Sequence, residues 1–323
     1  MDEFKFIESI TPNYYRQSSL MKGIGDDAAV VRPESGLEIV TAVDTMVEDV
    51  HFSLKTMKPY HIGYRVLGAN ISDLAAMGSN PAYYMVSIVI PSHWSDNQLK
   101  EIYRGMSDHA KKYRMDLIGG DTVSGNQLVV TVTVFGFVPN GRSRLRSHAR
   151  EGDIVFVTGH LGDSAYGLHL LFGEKYSSDG AQYFTKRHQL PEPRVHFAEK
   201  LQMLNRLCLN DISDGIASEA NEVAEASNVE IHLDYHLLPI RDELKEFPFD
   251  QQNEWVLSGG EDFELIGTVA EKDWPVVQDA AHSTNTKVTK VGYVKKEGQN
   301  SQVYLHAQQE KQILRKTGYV HKQ

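Results

Sequence analysis

The clearest alternation of apolar and polar positions in the chain is LVVTVTVFGFV, residues 128 to 138. Val130, Val132 and Val134 fall on one side, and Thr131, Thr133 and Phe135 on the other. A period of two predicts a half-buried strand. LEIVTAVD (37 to 44) reads as a strand ending at Asp44, and AYYMVSIVI (82 to 90) as another, bounded by Pro81 and Pro91. HIGYRVLGANISDLAAMG (61 to 78) has a different rhythm. Ile62, Val66, Leu67, Ile71 and Leu74 recur at three- and four-residue steps, which predicts a helix. Ser95 and Asp96 start a further helix that runs to about Arg114 with a polar outer face.

PNGRSRLRSHAREGD (139 to 153) is polar, basic and turn-rich, and it separates two apolar blocks. Beyond it the pattern restarts with the strand IVFVTG (154 to 159). Helices follow near 163 to 173, 194 to 206 and 216 to 227, with strands VEIHL (229 to 233), FELIGTV (263 to 269) and TKVGYV (289 to 294). The alternation predicts a mixed α+β or α/β protein of two α/β domains, 1–140 and 150–323.

The 323 residues suffice for two domains, and 41% hydrophobic content makes a packed core feasible. A net charge of -10 argues against a nucleic-acid partner, which needs a basic face. The same charge suits either collection of divalent cations or a plain acidic surface. Cys208 is the sole cysteine, so an intrachain disulfide and a thiolate metal cluster are both excluded. The N-terminal MDEFKFIESITPNYY lacks the apolar core of a signal peptide. No apolar run approaches the roughly 18 residues of a membrane span. These features predict a cytoplasmic protein.

The chemistry lies in aspartates beside small residues at the ends of apolar segments. They occur in GIGDD (Asp26, Asp27), AVDT (Asp44), NISDLAAMG (Asp73), LIGGDT (Asp121), DISDG (Asp211, Asp214) and LSGGEDFEL (Glu261, Asp262). A carboxylate in an apolar setting must be neutralised, hydrogen-bonded or bound to metal. Hard oxygen ligands suit magnesium, which bridges a few carboxylates to phosphates. Neighbouring glycines let backbone approach a phosphate. Each motif alone reads sooner as a cap, a turn or a buried hydrogen-bonder than as a metal ligand; their number on one chain points to a shared cation site. GxxxxGK[ST], GxGxxG, HRDLxxxN, GxSxG and HExxH are all absent.

GIGDDAAVV, VDTMVEDVHF, ANISDLAAMGSNPAYY, LIGGDT, DISDG and LSGGEDFEL, in that order, resemble the thiamine-monophosphate kinase family from about residue 20 to the final TGYVHK. The family belongs to the superfamily of aminoimidazole-ribonucleotide synthetase and selenophosphate synthetase. The resemblance implies ATP-dependent phosphorylation of thiamine monophosphate to thiamine diphosphate, several Mg2+ ions, and a homodimer in which the N-terminal sheets pair. It implies Asp27, Asp44, Asp73, Asp121, Asp211 and Asp214 as metal ligands. Tyr103, Gly120, Asp121, Arg146 and Ser213 would meet ATP, and His51, Glu261 and Tyr319 thiamine monophosphate. The first domain would bind ATP and magnesium and dimerise; the second would complete the site. The family often has Ser or Thr in the two positions before the Asp44 equivalent. Ala42 and Val43 stand there, so only backbone carbonyls could serve. Which arginine among Arg142, Arg144, Arg146 and Arg150 meets ATP is not set by spacing.

A phosphate acceptor is already ionised near neutral pH, its second pKa being about 6, so no general base is needed. The competing readings are another ATP-dependent enzyme of the superfamily, an inactive nucleotide-binding regulator, or a magnesium-dependent phosphatase. In an extended segment Asp26 and Asp27 point to opposite faces. The resemblance selects Asp27 as ligand and leaves Asp26 to orient its neighbours or bond backbone.

Overall fold

The computed structural model describes residues 3–24, 28–173, 180–296, 301–307 and 310–318. Asp26, Asp27 and Tyr319 lie outside the described residues. Contacts divide the chain into two compact units. One is Met1–Leu74, Ser79–Gly141 and Gln189–Pro191; the other is Ala75–Gly78, Arg142–His188 and Glu192–Gln323.

The first unit runs α1 (Glu3–Ile10), β1 (Leu20–Lys22), β2 (Val30–Val31), β3 (Leu37–Val47), α2 (Pro59–Ala76), β4 (Asn80–Ile90), α3 (Asp96–Lys112), β5 (Asp116–Ser124) and β6 (Val129–Pro139). Its main sheet has the order β3-β6-β4-β5, with β4 and β5 parallel and the other pairs antiparallel. Val130, Val132, Val134 and Val138 bury one face of β6, as its alternation requires. The stripes Ile62, Val66, Leu67, Ile71 and Leu74 of α2 and Leu99, Ile102 and Met106 of α3 are equally buried. The start of α3 is set by a reciprocal cap: Ser95 accepts from Gln98 N, and the Gln98 side chain accepts from Ser95 N.

The other face of this sheet is only partly covered: Leu20, Ala29 and Val31 pack with Met85, Phe135 and Phe137 against Ala82, Tyr83 and Ile118, and the rest is open. Ile39, Val43 and Val123 are about half exposed, at 54%, 58% and 47%. Thr45 and Thr131 bond each other across it at 2.9 Å.

The second unit runs β7 (Asp153–Thr158), α4 (Asp163–Leu171), α5 (Ala181–Gln189), α6 (Val195–Lys200), β8 (Cys208–Ile212), α7 (Ile216–Ser227), β9 (Glu230–Asp234), α8 (Phe249–Asn253), β10 (Glu264–Ala270), α9 (Trp274–Ser283), β11 (Val288–Lys295), β12 (Val303–Ala307) and β13 (Glu310–Ile313). Seven strands form one sheet in the order β13-β12-β9-β11-β7-β10-β8. Ile216, Ala217, Ala220, Val223 and Ala224 on α7 join its core with Val155, Val157 and Ile266.

Several expectations change. The strand from Leu37 continues past Asp44 to Val47. Pro81 lies inside β4 rather than at its border. It pairs with Gly136 of β6; a register shift follows it, and β5 pairs only from Tyr83 onward. The helix expected over 194 to 206 stops at Lys200, where i→i−3 bonds from Leu201, Gln202 and Leu204 tighten the chain into turns. The mixed α/β class is as expected, and β9–β12 is the single parallel pair of the second sheet among the described residues.

Candidate active site

In the first unit the sheet register sorts the expected site residues. Asp44 pairs across with Val132, which pairs with Val86 and then Gly120, so these share the covered face. Asp121 pairs with Ser87, Thr131 and Thr45 on the open face. Asp44 and Asp121 therefore stand on opposite edge strands and opposite faces. Three strand steps separate them, about 14 Å. Within one chain they cannot ligate one magnesium ion, whose bonds are about 2.1 Å.

Asp44 has a different neighbour. Its backbone N–H donates to Asn70 Oδ1 on α2 at 3.1 Å, and Asn70 Nδ2 is held by Val66 O at 2.9 Å. Asp73 follows Asn70 by three residues on the same side of that helix. Gly120 has a steric reason to be glycine, since a Cβ would stand 2.1 Å from Val86 O. Asp121 Oδ1 accepts from Thr122 N at 2.9 Å.

His51 closes the loop after β3. Its Nδ1 accepts from Val47 N at 3.1 Å, which places the ring proton on Nε2. Glu48 anchors the same loop, accepting from Trp94 Nε1 at 3.0 Å and Leu128 N at 3.1 Å. Tyr103 lines a cavity of about 290 Å³ with Tyr14, Arg16, Tyr84, Ser107 and Leu117. The buried Asp116 holds Arg16 of that lining, taking hydrogen bonds from Arg16 N, Gln17 N and Arg16 Nη1 at 2.6, 2.7 and 3.1 Å.

In the second unit the expected residues converge. Ser213 and Asp214 form the turn between β8, which carries the buried Asp211, and α7. Glu261 N donates to Ser213 O at 2.6 Å, which fixes the LSGGEDFEL segment on that turn. Glu261 and Phe263 hold left-handed φ values of 57° and 49°, rare for such side chains. Thr317 O accepts from Ser218 Oγ at 3.0 Å, and a Cβ on Gly318 would stand 2.5 Å from Asp214 O, so the chain reaches Asp214 just before Tyr319.

The four arginines have four different settings. Arg142 Nη1 bonds Asn205 Oδ1 at 2.9 Å. Arg144 is buried, donates to Leu201 O at 2.7 Å, and has its pKa lowered to about 10, mainly by that burial. Arg150 bonds Asp153 through its backbone N–H. Arg146 donates from Nε to Asn210 Oδ1 at 2.9 Å and pairs through Nη2 with Glu222 Oε2 at 3.1 Å.

Other polar residues frame the site without having stood out in the sequence. Glu219 Oε1 accepts from Asp214 N at 3.1 Å and Ser213 Oγ at 3.3 Å, and Oε2 from Asn210 Nδ2 at 2.7 Å. Its pKa is raised to about 8, by burial first and then by Asp211, Glu222 and Asp214. A crowd of hard oxygen donors that retains a proton is a setting a divalent cation would relieve, so the donor chemistry fits magnesium. Among the described residues, no three His, Cys, Asp or Glu groups are arranged to hold one ion. The one visible signal for Glu219 was an acidic residue in the first turn after Asp214-Gly215.

Asp262 caps α4 from a distance of a hundred residues. Its carboxyl accepts from Gly162 N at 2.8 Å and Ser164 N at 3.1 Å. Burial pushes its pKa up to about 7 against those two bonds. Unfolded, it loses its proton near 3.8. Between these values the folded state binds more protons, so its contribution to stability falls as pH rises from about 4 to about 7. Asp262→Asn should lose about 1 kcal/mol of capping at pH 5 and show a smaller further loss at pH 7.5 than the parent. Urea midpoints at the two pH values check this; an unchanged pH dependence would rule it out.

The fold and site define a two-domain chain of the AIR synthase related type. The model of the AIR synthase related protein N-terminal domain matches residues 25–138, and that of the C-terminal domain matches residues 150–304. The chain belongs to the thiamine-monophosphate kinase family. It is 49% identical over 325 residues to the thiamine-monophosphate kinase of Bacillus subtilis (strain 168), covering 99% of each chain. The crystal structure of thiamine-monophosphate kinase from Stenotrophomonas maltophilia K279a superposes with a TM-score of 0.84 at 31% identity, over 94% of this chain and 96% of that one. AaThiL complexed with AMPPCP and TMP superposes with a TM-score of 0.77 at 29% identity, over 93% and 92%. No helix among the described residues is long and apolar enough to cross a membrane.

Proposed function

We propose that this protein transfers the γ-phosphoryl group of ATP directly to the phosphate of thiamine monophosphate, forming thiamine diphosphate and ADP. The observation that carries the reading is the bond between Glu261 N and Ser213 O. It sets Glu261, the residue proposed for thiamine monophosphate, against the turn that bears Asp214 and Ser213, the serine proposed for ATP, in a chain of this family. The first unit is the ATP- and magnesium-binding and dimerising domain, and the second completes the site.

The acceptor oxygen attacks γ-phosphorus in line as the bond to the ADP oxygen breaks, and no side chain takes a proton. Arg146 and Ser213 hold the nucleotide phosphates, and Tyr103 contacts ATP from the cavity it lines. His51, with its Nε2 proton, donates to thiamine monophosphate; Glu261 and Tyr319 address its rings. Asp44 with Asp73, Asp27, Asp121, and Asp211 with Asp214 would hold magnesium. Bound magnesium neutralises the charge of two phosphate-bearing reactants. The register supports Asp121 as a ligand separate from Asp44, and the bond from Asp44 N–H to Asn70, three residues before Asp73 on α2, supports Asp44 with Asp73 as one group.

Purified protein with Mg2+, ATP and thiamine monophosphate should yield thiamine diphosphate and ADP in equal amounts. ADP without thiamine diphosphate would overturn the acceptor, and inorganic phosphate released without ATP would favour a phosphatase. No turnover at any magnesium concentration would favour the regulator.

The homodimer is proposed to bury the open sheet face. The edge of β3 is a poorer candidate, because Asn70 already occupies the Asp44 N–H. Ile39, Val43 and Val123 are exposed apolar positions on that face, beside Thr45, Thr131 and Asp121, that a second copy would cover. Val43→Glu should convert a dimer into a monomer in sedimentation velocity. A dimer that survives this charge would place the interface elsewhere.

A further inference from the structure

We propose that Asn210, Glu219 and Glu222 form a positioning bracket that holds Arg146 and the Ser213–Asp214 turn in register for ATP. The inference rests on the reading of Arg146 and Ser213 as ATP-facing residues.

The bracket has a fixed direction. Arginine has donors only, so Asn210 must present Oδ1 to Arg146 Nε, at 2.9 Å. That choice turns Asn210 Nδ2 toward Glu219 Oε2, at 2.7 Å. The far end of Glu219 must also accept, because Oε1 faces Asp214 N at 3.1 Å and Ser213 Oγ at 3.3 Å. Glu222 Oε2 takes the second contact of the guanidinium at 3.1 Å and lies 3.5 Å from Asn210 Nδ2. Position 219 thus needs an accepting oxygen at both ends of one short, planar group. A carboxyl meets this whether or not it is protonated.

Glutamine at 219 has one oxygen. If that oxygen serves Asp214 N, its amide nitrogen meets Asn210 Nδ2, donor against donor. If Asn210 turns over to avoid this, its own nitrogen meets Arg146. A single change therefore propagates from the turn to the guanidinium, although Asn210 and Glu219 are both buried, at 2% and 3% exposure. These residues act through Arg146 and Ser213 and are not themselves catalytic residues.

The test is steady-state kinetics on Glu219→Gln, Glu222→Gln and Asn210→Ala, each also combined with Arg146→Ala. Glu219→Gln should raise the KM for ATP about tenfold, the effect of one lost hydrogen bond to a charged group. The KM for thiamine monophosphate should change far less, a split that general loosening of the fold would not produce. Glu222, a third exposed, can be changed without touching the core, and Glu222→Gln should raise the KM for ATP in the same direction. In the Arg146→Ala background, Asn210→Ala and Glu222→Gln should add little further loss, because the group they hold is gone. Equal losses in both backgrounds, parallel rises in both KM values, or an unchanged KM for ATP would overturn the bracket. If Glu219→Gln does not fold, the Glu222–Arg146 cycle decides alone. Equilibrium binding of a fluorescent ATP analogue to the same variants reads the bracket without turnover. Failure of the parent protein to form thiamine diphosphate would thus sink the functional reading while this one is still scored.

Discussion

Glu264→Ala is expected to destabilise the second unit by about 3–5 kcal/mol, the range for breaking a buried ion pair by removing one partner. Glu264 is 1% exposed at the start of β10. Its Oε2 accepts from Thr158 Oγ1 and from Arg194 Nε, both at 2.6 Å, and its Oε1 from Arg187 Nη2 at 2.9 Å; Arg194 Nη2 also reaches Oε1. Burial alone would push this carboxyl up, but Arg194 and Arg187 outweigh it and leave its pKa below the ordinary value. The alanine variant removes the carboxylate shared by two largely buried guanidinium groups and the Thr158 hydroxyl, leaving Arg187 its bond to Asp262 O and Thr158 its bond from Leu265 N. The sign of the pH effect follows from the lowered pKa. The contribution of Glu264 is complete above the unfolded value of about 4.5 and disappears as pH falls through the folded one. The parent should therefore lose more stability than the variant on acidification below about pH 4.5. Urea denaturation at pH 7 and pH 4 measures both effects, and a cost below about 1 kcal/mol at pH 7 would show that the arginines find other partners.

Asp211→Asn is expected to lower turnover by at least about 100-fold, since losing one charge-stabilising group at a reacting centre costs on the order of 3 kcal/mol. The stability of the same variant should hold or rise. Asp211 is buried beside Glu219, and after burial it is the largest cause of that residue's raised pKa. Replacing one of two crowded carboxylates by a neutral group of equal shape relieves repulsion in a protein without its ion. A residue kept only for structure would show the reverse: full activity with a lower melting temperature. Paired kcat and thermal-melt measurements separate the two, and near-normal turnover would remove Asp211 from the metal set.

How legible these features were depended on the distance over which each is decided. The alternation of β6 and the three- and four-residue stripe of α2 are local, and both segments fold as their patterns require. The cap at Ser95 is set by a neighbour three residues away. β5 escaped notice because Gly119, Gly120 and Asp121 interrupt its apolar run with residues that disfavour strands. Its place beside β4 makes up for that. Gly120 is needed there for a close approach that only the paired backbone reveals.

The candidate site divides along the same line. Residue types and the order of the motifs pointed to carboxylates, glycines and an arginine suited to phosphate and magnesium, because that chemistry belongs to the side chains. The different settings of the four arginines show only in the fold: Arg146 meets Asn210 and Glu222, 64 and 76 positions away. Separating Asp44 from Asp121 needed the strand order, since a period of two assigns faces within a strand but names no neighbour. The structural role of Asp262 needed the start of α4. The sequence by itself determined the family, the class of chemistry and the segments that carry it, through local pattern and side-chain type. Only the tertiary structure decided which of those groups meet, because hydrogen bonds and charge crowding act over a few ångströms between residues that the chain sets far apart.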